Sequence, residues 1–189
     1  MTERLAHIPH LLYTEQYRHV PGHVPPLQLD AAALAALRSS LQADNRALTV
    51  LSLLEPAPAF TLAEVRIPAE AAREFLPEQL ARLEAAVVAQ LLSYYAAIRA
   101  DPSSDAAFVV TPKHIQRKAV VRALQESRVE EKHLSPTVAT AEKMQGAQAP
   151  LVIVCLCYFD PEAVRAYLGR WLISMHRIAL FLLIDMLSA

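Results

Sequence analysis

The sequence predicts an α/β fold: a mostly parallel sheet with helices on both faces. Two patterns carry that prediction. From Glu78 onward, stretches with apolar residues at three- and four-residue steps alternate with short apolar runs, the order that βαβ units produce. One of those runs, Leu151-Val152-Ile153-Val154-Cys155-Leu156-Cys157, is apolar without alternation, as a strand covered on both faces must be.

The elements follow in order. Residues 1–29 are rich in Pro and His and read as an irregular N-terminal segment; residues 30–189 read as the folded domain. Asp30 can cap a short Ala/Leu helix reaching Gln42. Ala47 to Leu54 is apolar enough for a strand, and Glu55 to Pro77, with four prolines, reads as a long connection. Glu78 to Ile98 is helical, with Leu80, Leu83, Val87, Val88, Leu91, Leu92 and Tyr95 as its packing stripe. Asp101 to Asp105 is a turn and Ala106 to Val110 a strand. Thr111 and Pro112 then offer an N-cap and a first helical residue for a helix from Lys113 to about Arg128. Pro136 to Thr140 and Leu151 to Cys157 are the next strands, a helix spans Glu162 to Met175, and Ala179 to Asp185 is the last strand.

Composition sets bounds. With 54% apolar residues in 189, a sizeable core is available. The formal net charge of −1 provides no global field toward nucleic acid or membrane, so any such contact must be local. No run is long enough to span a bilayer, and no membrane partner is expected. The two cysteines, Cys155 and Cys157, lack metal-ligand spacing around them, and an intracellular compartment, nuclear or cytoplasmic, is the simpler reading. The histidines of the N-terminal segment show no metal spacing either. Of the three glycines, Gly22, Gly146 and Gly169, none opens a G-x-x-x-x-G-K-[ST] phosphate loop. No nucleophile elbow or triad pattern supports a small-molecule hydrolase.

Four segments carry a resemblance. Thr140-Ala141-Glu142-Lys143-Met144-Gln145-Gly146 before a buried strand resembles motif V of superfamily 1 helicases, in the 1B group of RNA-decay and replication nuclease-helicases, where the pattern is close to T-V-E-K-M-Q-G-x-E. Gln16-Tyr17-Arg18-His19 resembles the Q-Y-R-M-H-P segment of that family. Val110-Thr111-Pro112-Lys113-His114-Ile115-Gln116 resembles its motif IV, V-T-P-Y-x-x-Q, and Arg170 to Arg177 resembles motif VI, with both arginines at the family spacing. The four segments occur in family order. Departures fall at Ala141, His19 and Val20, at Gln148, where the family has a glutamate on the ribose, at Lys113 for tyrosine, at Leu172 for asparagine and at His176 for a hydroxyl residue.

The resemblance implies the second RecA-like domain of a helicase, without a P-loop of its own. It implies that Gln16, Tyr17, Arg18, Gly146 and Gln148 meet a nucleotide, with Tyr17 on the base. Arg18 and Arg177 would serve catalysis at the γ-phosphate, with Arg177 the finger and Arg170 in a supporting role. Thr111, Pro112, Lys113, Gln116, Thr140 and Gln145 would face the backbone of single-stranded DNA or RNA. ATP with Mg2+ would bind only when the first RecA-like domain is present in cis or in trans, so this half alone is not expected to hydrolyse ATP. The alternative is a degenerate RecA-like interaction or scaffold domain that kept the fold without nucleotide chemistry.

Overall fold

The structure is a computed structural model that describes residues 27–55, 60–67, 76–101, 107–129, 134–140, 143, 149–155 and 179–186. Four helices and five strands lie among them: α1 (Ala31–Ser40), α2 (Asn45–Ser52), β1 (Phe60–Ile67), α3 (Pro77–Ile98), β2 (Ala107–Val110), α4 (His114–Glu126), β3 (Thr137–Ala139), β4 (Leu151–Cys155) and β5 (Ala179–Met186). The strands form one sheet in the order β1-β5-β4-β2-β3, and every neighbouring pair is parallel. The α/β class with an open parallel sheet is therefore as the sequence predicts. The expected helix over 162–175 lies outside the described residues.

Local chemistry explains where each helix starts. Asp30 Oδ1 accepts from the N–H groups of Ala32 and Ala33 at 2.8 and 3.1 Å, fixing α1 as expected. Asp44 Oδ1 does the same for Arg46 and Ala47, both at 3.0 Å. That second cap overturns the strand expected over Ala47 to Leu54, which is largely the helix α2. Ala47, Leu51 and Leu54 are spaced by four and three residues and are all buried, so the apolar spacing is helical rather than alternating. At α3, Pro77 takes the first helical position and Gln79 Oε1 reaches back to the Leu76 N–H at 2.7 Å.

A second expectation also fails. The long connection between Glu55 and Pro77 contains β1, which pairs with β5 over eight positions, from Phe60 opposite Ala179 to Ile67 opposite Met186. The four prolines of that stretch all fall outside the strand, so none removes a ladder donor.

The core sits between β2, β4 and the helices. Ala107 and Val109 of β2 lie opposite Leu151 and Ile153 of β4. Together with Cys155 they join Val88, Leu91, Leu92, Tyr95 and Ile98 of α3, and Val120 and Leu124 of α4, in one cluster. The alternate positions Val152 and Val154 are buried as well, so β4 is covered on both faces, which accounts for its unbroken apolar sequence. The stripe expected on α3 holds with two changes. Leu83 is 40% exposed on the outer side, and Glu84, inside the stripe, is fully buried.

Candidate functional site

Strand order locates the place where this fold can take a ligand. The chain passes from β2 through α4 to β3 at one edge of the sheet, whereas β4 and β5 succeed each other toward the opposite edge. In strand order the connections leaving adjacent β2 and β4 therefore go to opposite sides, and their carboxyl ends flank the topological switch point, the position at which open parallel sheets take ligands.

Thr111 follows β2 at that point. Its N–H donates to the Ala139 carbonyl at 3.0 Å, so the residue extends the ladder for one more step. Since Val110 is opposite Ala139, Thr111 and Thr140 come next to each other just beyond the paired positions. Thr111 is fully buried, and its hydroxyl finds no hydrogen-bond partner among the described residues. A buried hydroxyl in that condition costs about 1–3 kcal/mol. Thr140 is half-buried, and its carbonyl accepts from the Lys143 N–H at 3.2 Å.

The helix start differs from the sequence expectation. Thr111 is not the N-cap and Pro112 is not the first helical residue; both precede α4, which begins at His114 after an extended Lys113. The cause is the Thr111–Ala139 bond, which holds Thr111 in the ladder one residue beyond β2, so that a bend at Pro112 and Lys113 precedes the helix. Gln116 takes over the capping. Its Oε1 accepts from the Lys113 N–H at 3.2 Å while its Nε2 donates to Glu84 Oε2 at 2.8 Å. The lysine side chain has no acceptor with which to complete a reciprocal cap. At the other end the helix closes two residues earlier than expected, with Arg128 in the left-handed region at φ 52°.

Gln116 thus ties two helices and one turn together. It is 1% exposed and Glu84 is 0% exposed, so this is an internal bracket that fixes the angle at which α4 leaves the sheet. Sequence reasoning missed Glu84 altogether. Its signal was positional: a carboxylate at the i+4 step from Leu80 and the i−4 step from Val88, in the middle of an apolar stripe.

The first N–H groups of α4 stand at the switch-point edge, with the positive end of the helix dipole behind them. Lys113 and Lys118 are exposed nearby, and the exposed Arg117 donates from Nε to the Val138 carbonyl at 3.2 Å. The edge is therefore locally electropositive, although the chain as a whole is not. Among the described residues no three His, Cys, Asp or Glu side chains converge as a metal site would require, and no helix is long and apolar enough to cross a membrane.

Of the expected site residues, Thr111, Pro112, Lys113, Gln116 and Thr140 are described and gather around the carboxyl ends of β2 and β3. Gln16, Tyr17, Arg18, Gln145, Gly146, Gln148, Arg170 and Arg177 lie outside the described residues. No protein-family model, curated protein or solved structure matches the chain.

Proposed function

We propose that this chain is the second RecA-like half of an ATP-dependent nucleic-acid helicase of the superfamily 1 type, and that the Thr111–Thr140 edge grips the sugar–phosphate backbone of a single strand. The observation that carries the reading is the Thr111 hydroxyl, buried and without a partner beside the open start of α4 at the switch point. Thr111 is fully buried, so a phosphate or ribose oxygen becomes the missing partner only by displacing what covers the hydroxyl, while the helix start supplies N–H donors. The order of the four motif-like segments supports the same reading. Nucleotide chemistry belongs to Tyr17, Arg18 and Arg177 facing a first domain that brings the phosphate loop and Mg2+, so the chain alone turns over no ATP. In the paired enzyme, closing and reopening of the two halves alternates the grip on the strand.

A specific observation favours a second reading. Both polar ends of the Gln116 amide are committed inside the protein, as they would be in a RecA-like interaction domain that kept its architecture and lost its ligands.

Thr111→Val separates the two. The valine keeps the shape and removes the unpartnered hydroxyl, so the variant should be as stable as the parent or more stable by about 1 kcal/mol in either case. Fluorescence anisotropy with labelled oligo-dT and oligo-U should show binding by the parent, with log K falling against log salt at a slope of about −2 for two or three phosphates. The variant should lose about tenfold in affinity. No binding by the parent at low salt, or equal binding by the variant, transfers the protein to the second reading.

A further inference from the structure

The two margins of the sheet differ. At one margin β3 is three residues long. Ala139 turns its carbonyl to β2, where the Thr111 N–H donates to it, so Val138 before it turns its own carbonyl outward. Arg117 Nε takes that outward carbonyl at 3.2 Å. A short strand with its outer acceptor occupied is a protected edge. The opposite margin is β1, with eight residues from Phe60 to Ile67, no proline inside and no further strand beside it among the described residues. Pairing with β5 uses the backbone groups on one side of β1 only. Those on the other side are a template for one more strand.

Charge order selects the occupant. Glu64 and Arg66 are two positions apart, so both stand on one face of the sheet. Charges that merely repel a neighbouring strand need no particular order, whereas opposite signs at this spacing make the edge complementary to itself. Two copies of β1 related by a two-fold axis run antiparallel, with the axis perpendicular to the sheet. Each face of one sheet then continues into the same face of the other, so only positions separated by an even number of residues come opposite each other. A pairing centred on Glu64 sets carboxylate against carboxylate. One centred on Ala63 sets Glu64 against Leu62 and Arg66 against Phe60. A pairing centred on Val65 sets Glu64 of each copy against Arg66 of the other, and Ala63 against Ile67. Opposite charges directly across an antiparallel pair stabilise it, and like charges destabilise it. The register centred on Val65 is therefore the one that satisfies both charges. It spans residues 63–67 of each strand, and Pro68, which has no N–H, ends it on both sides.

We infer that the β1 edge pairs antiparallel with β1 of a second copy of this chain, centred on Val65, so that two five-stranded sheets become one continuous sheet. The inference is independent of strand binding. Thr111 and Thr140 belong to the β2 and β3 side, so the dimer carries its two candidate strand-binding edges outermost.

The test is sedimentation equilibrium of the full chain at concentrations up to about 100 μM, where an interface of micromolar strength is populated. The parent should form dimers and no larger species. Glu64→Arg and Arg66→Glu should each weaken the dimer by at least about tenfold, since each turns two attractive cross-strand pairs into repulsive ones. The Glu64→Arg/Arg66→Glu exchange should restore the dimer. An equimolar mixture of the two single variants should form a heterodimer, because each brings the charges that the other needs. Circular dichroism and urea midpoints check that the variants fold. A second measurement reads the register without altering either charge. In Val65→Cys the two new thiols face each other across the axis with Cα atoms about 5 Å apart, within disulfide reach, whereas in Thr61→Cys the two positions are about 27 Å apart. Oxidation should link the first variant into a covalent dimer, with peptide mapping placing the bridge at position 65, and leave the second unlinked there. A parent that stays monomeric or grows beyond the dimer overturns the inference. So does a dimer indifferent to the single reversals, a mixture of folded single variants that stays monomeric, or an unlinked Val65→Cys.

Discussion

Replacing Gln116 by alanine tests whether the bracket between α3, α4 and the β2–α4 turn organises this end of the molecule. The substitution removes two hydrogen bonds from a residue that is 1% exposed. The bond from Nε2 to Glu84 Oε2, at 2.8 Å, has a carboxylate acceptor inside the protein, and bonds of that kind contribute about 1.5–3 kcal/mol. The bond from the Lys113 N–H to Oε1, at 3.2 Å, is a neutral cap and contributes about 0.5–1.5 kcal/mol. The expected loss is therefore about 2–4.5 kcal/mol, with part of it arising because Glu84 stays buried with one donor fewer. At a urea m-value of about 2 kcal/mol/M, the midpoint moves down by about 1–2 M. A double-mutant cycle with Glu84→Ala isolates the pair: the two losses should fall short of additivity by about 1.5–3 kcal/mol. A coupling below about 0.5 kcal/mol, or a Gln116→Ala midpoint within experimental error of the parent, refutes the bracket.

The helix caps are separable. Asp44→Ala should cost about 1 kcal/mol in global stability, because α2 buries Ala47 and Leu51. Asp30→Ala should leave the urea midpoint nearly unchanged but raise amide exchange across α1, which buries no residue fully. Burial raises the Tyr95 phenol above its ordinary value; the nearby Arg99 works in the opposite direction and Asp101 adds to the rise. The folded state then holds its proton where the unfolded state has lost it. The stabilising contribution is complete below about pH 10 and fades as pH rises through the folded value. Tyr95→Phe should flatten the alkaline fall in the urea midpoint relative to the parent, and an identical fall in both proteins would contradict this assignment.

The sequence was legible where one physical signal dominated. Leu151–Cys155 carries no polar residue, and only a strand covered on both faces tolerates that, so β4 was plain. Asp30 before an Ala/Leu stretch was equally plain as a cap. The failures came where two signals competed. In Ala47–Leu54 the apolar content suggests a strand, whereas the four- and three-residue steps of Ala47, Leu51 and Leu54 and the Asp44 cap both specify a helix. In the stretch before α3 four prolines suggest a connection, but they bracket Phe60–Ile67 rather than interrupt it. The Thr111 cap was misplaced because a ladder bond to Ala139 is a long-range fact that no local pattern contains. Glu84 was invisible for a related reason: a carboxylate inside an apolar stripe looks like a solvated break until a partner 32 residues away is brought to it.

That pairing also changes what the T-P-x-x-x-Q segment says about function. Thr111 spends its N–H on β3, and Gln116 spends its amide on Lys113 and Glu84. Most of the segment is therefore accounted for by the demands of turning from a central parallel strand into a helix at a fixed angle. A chain with no ligand at all would favour the same threonine-to-glutamine spacing. What the turn does not use is the Thr111 hydroxyl, since valine at that position would build the same ladder without a buried unpartnered oxygen. The functional content of the segment thus narrows to one atom, and the comparison of Thr111→Val in stability and in strand affinity is decisive because architecture and ligand binding pull that atom in opposite directions.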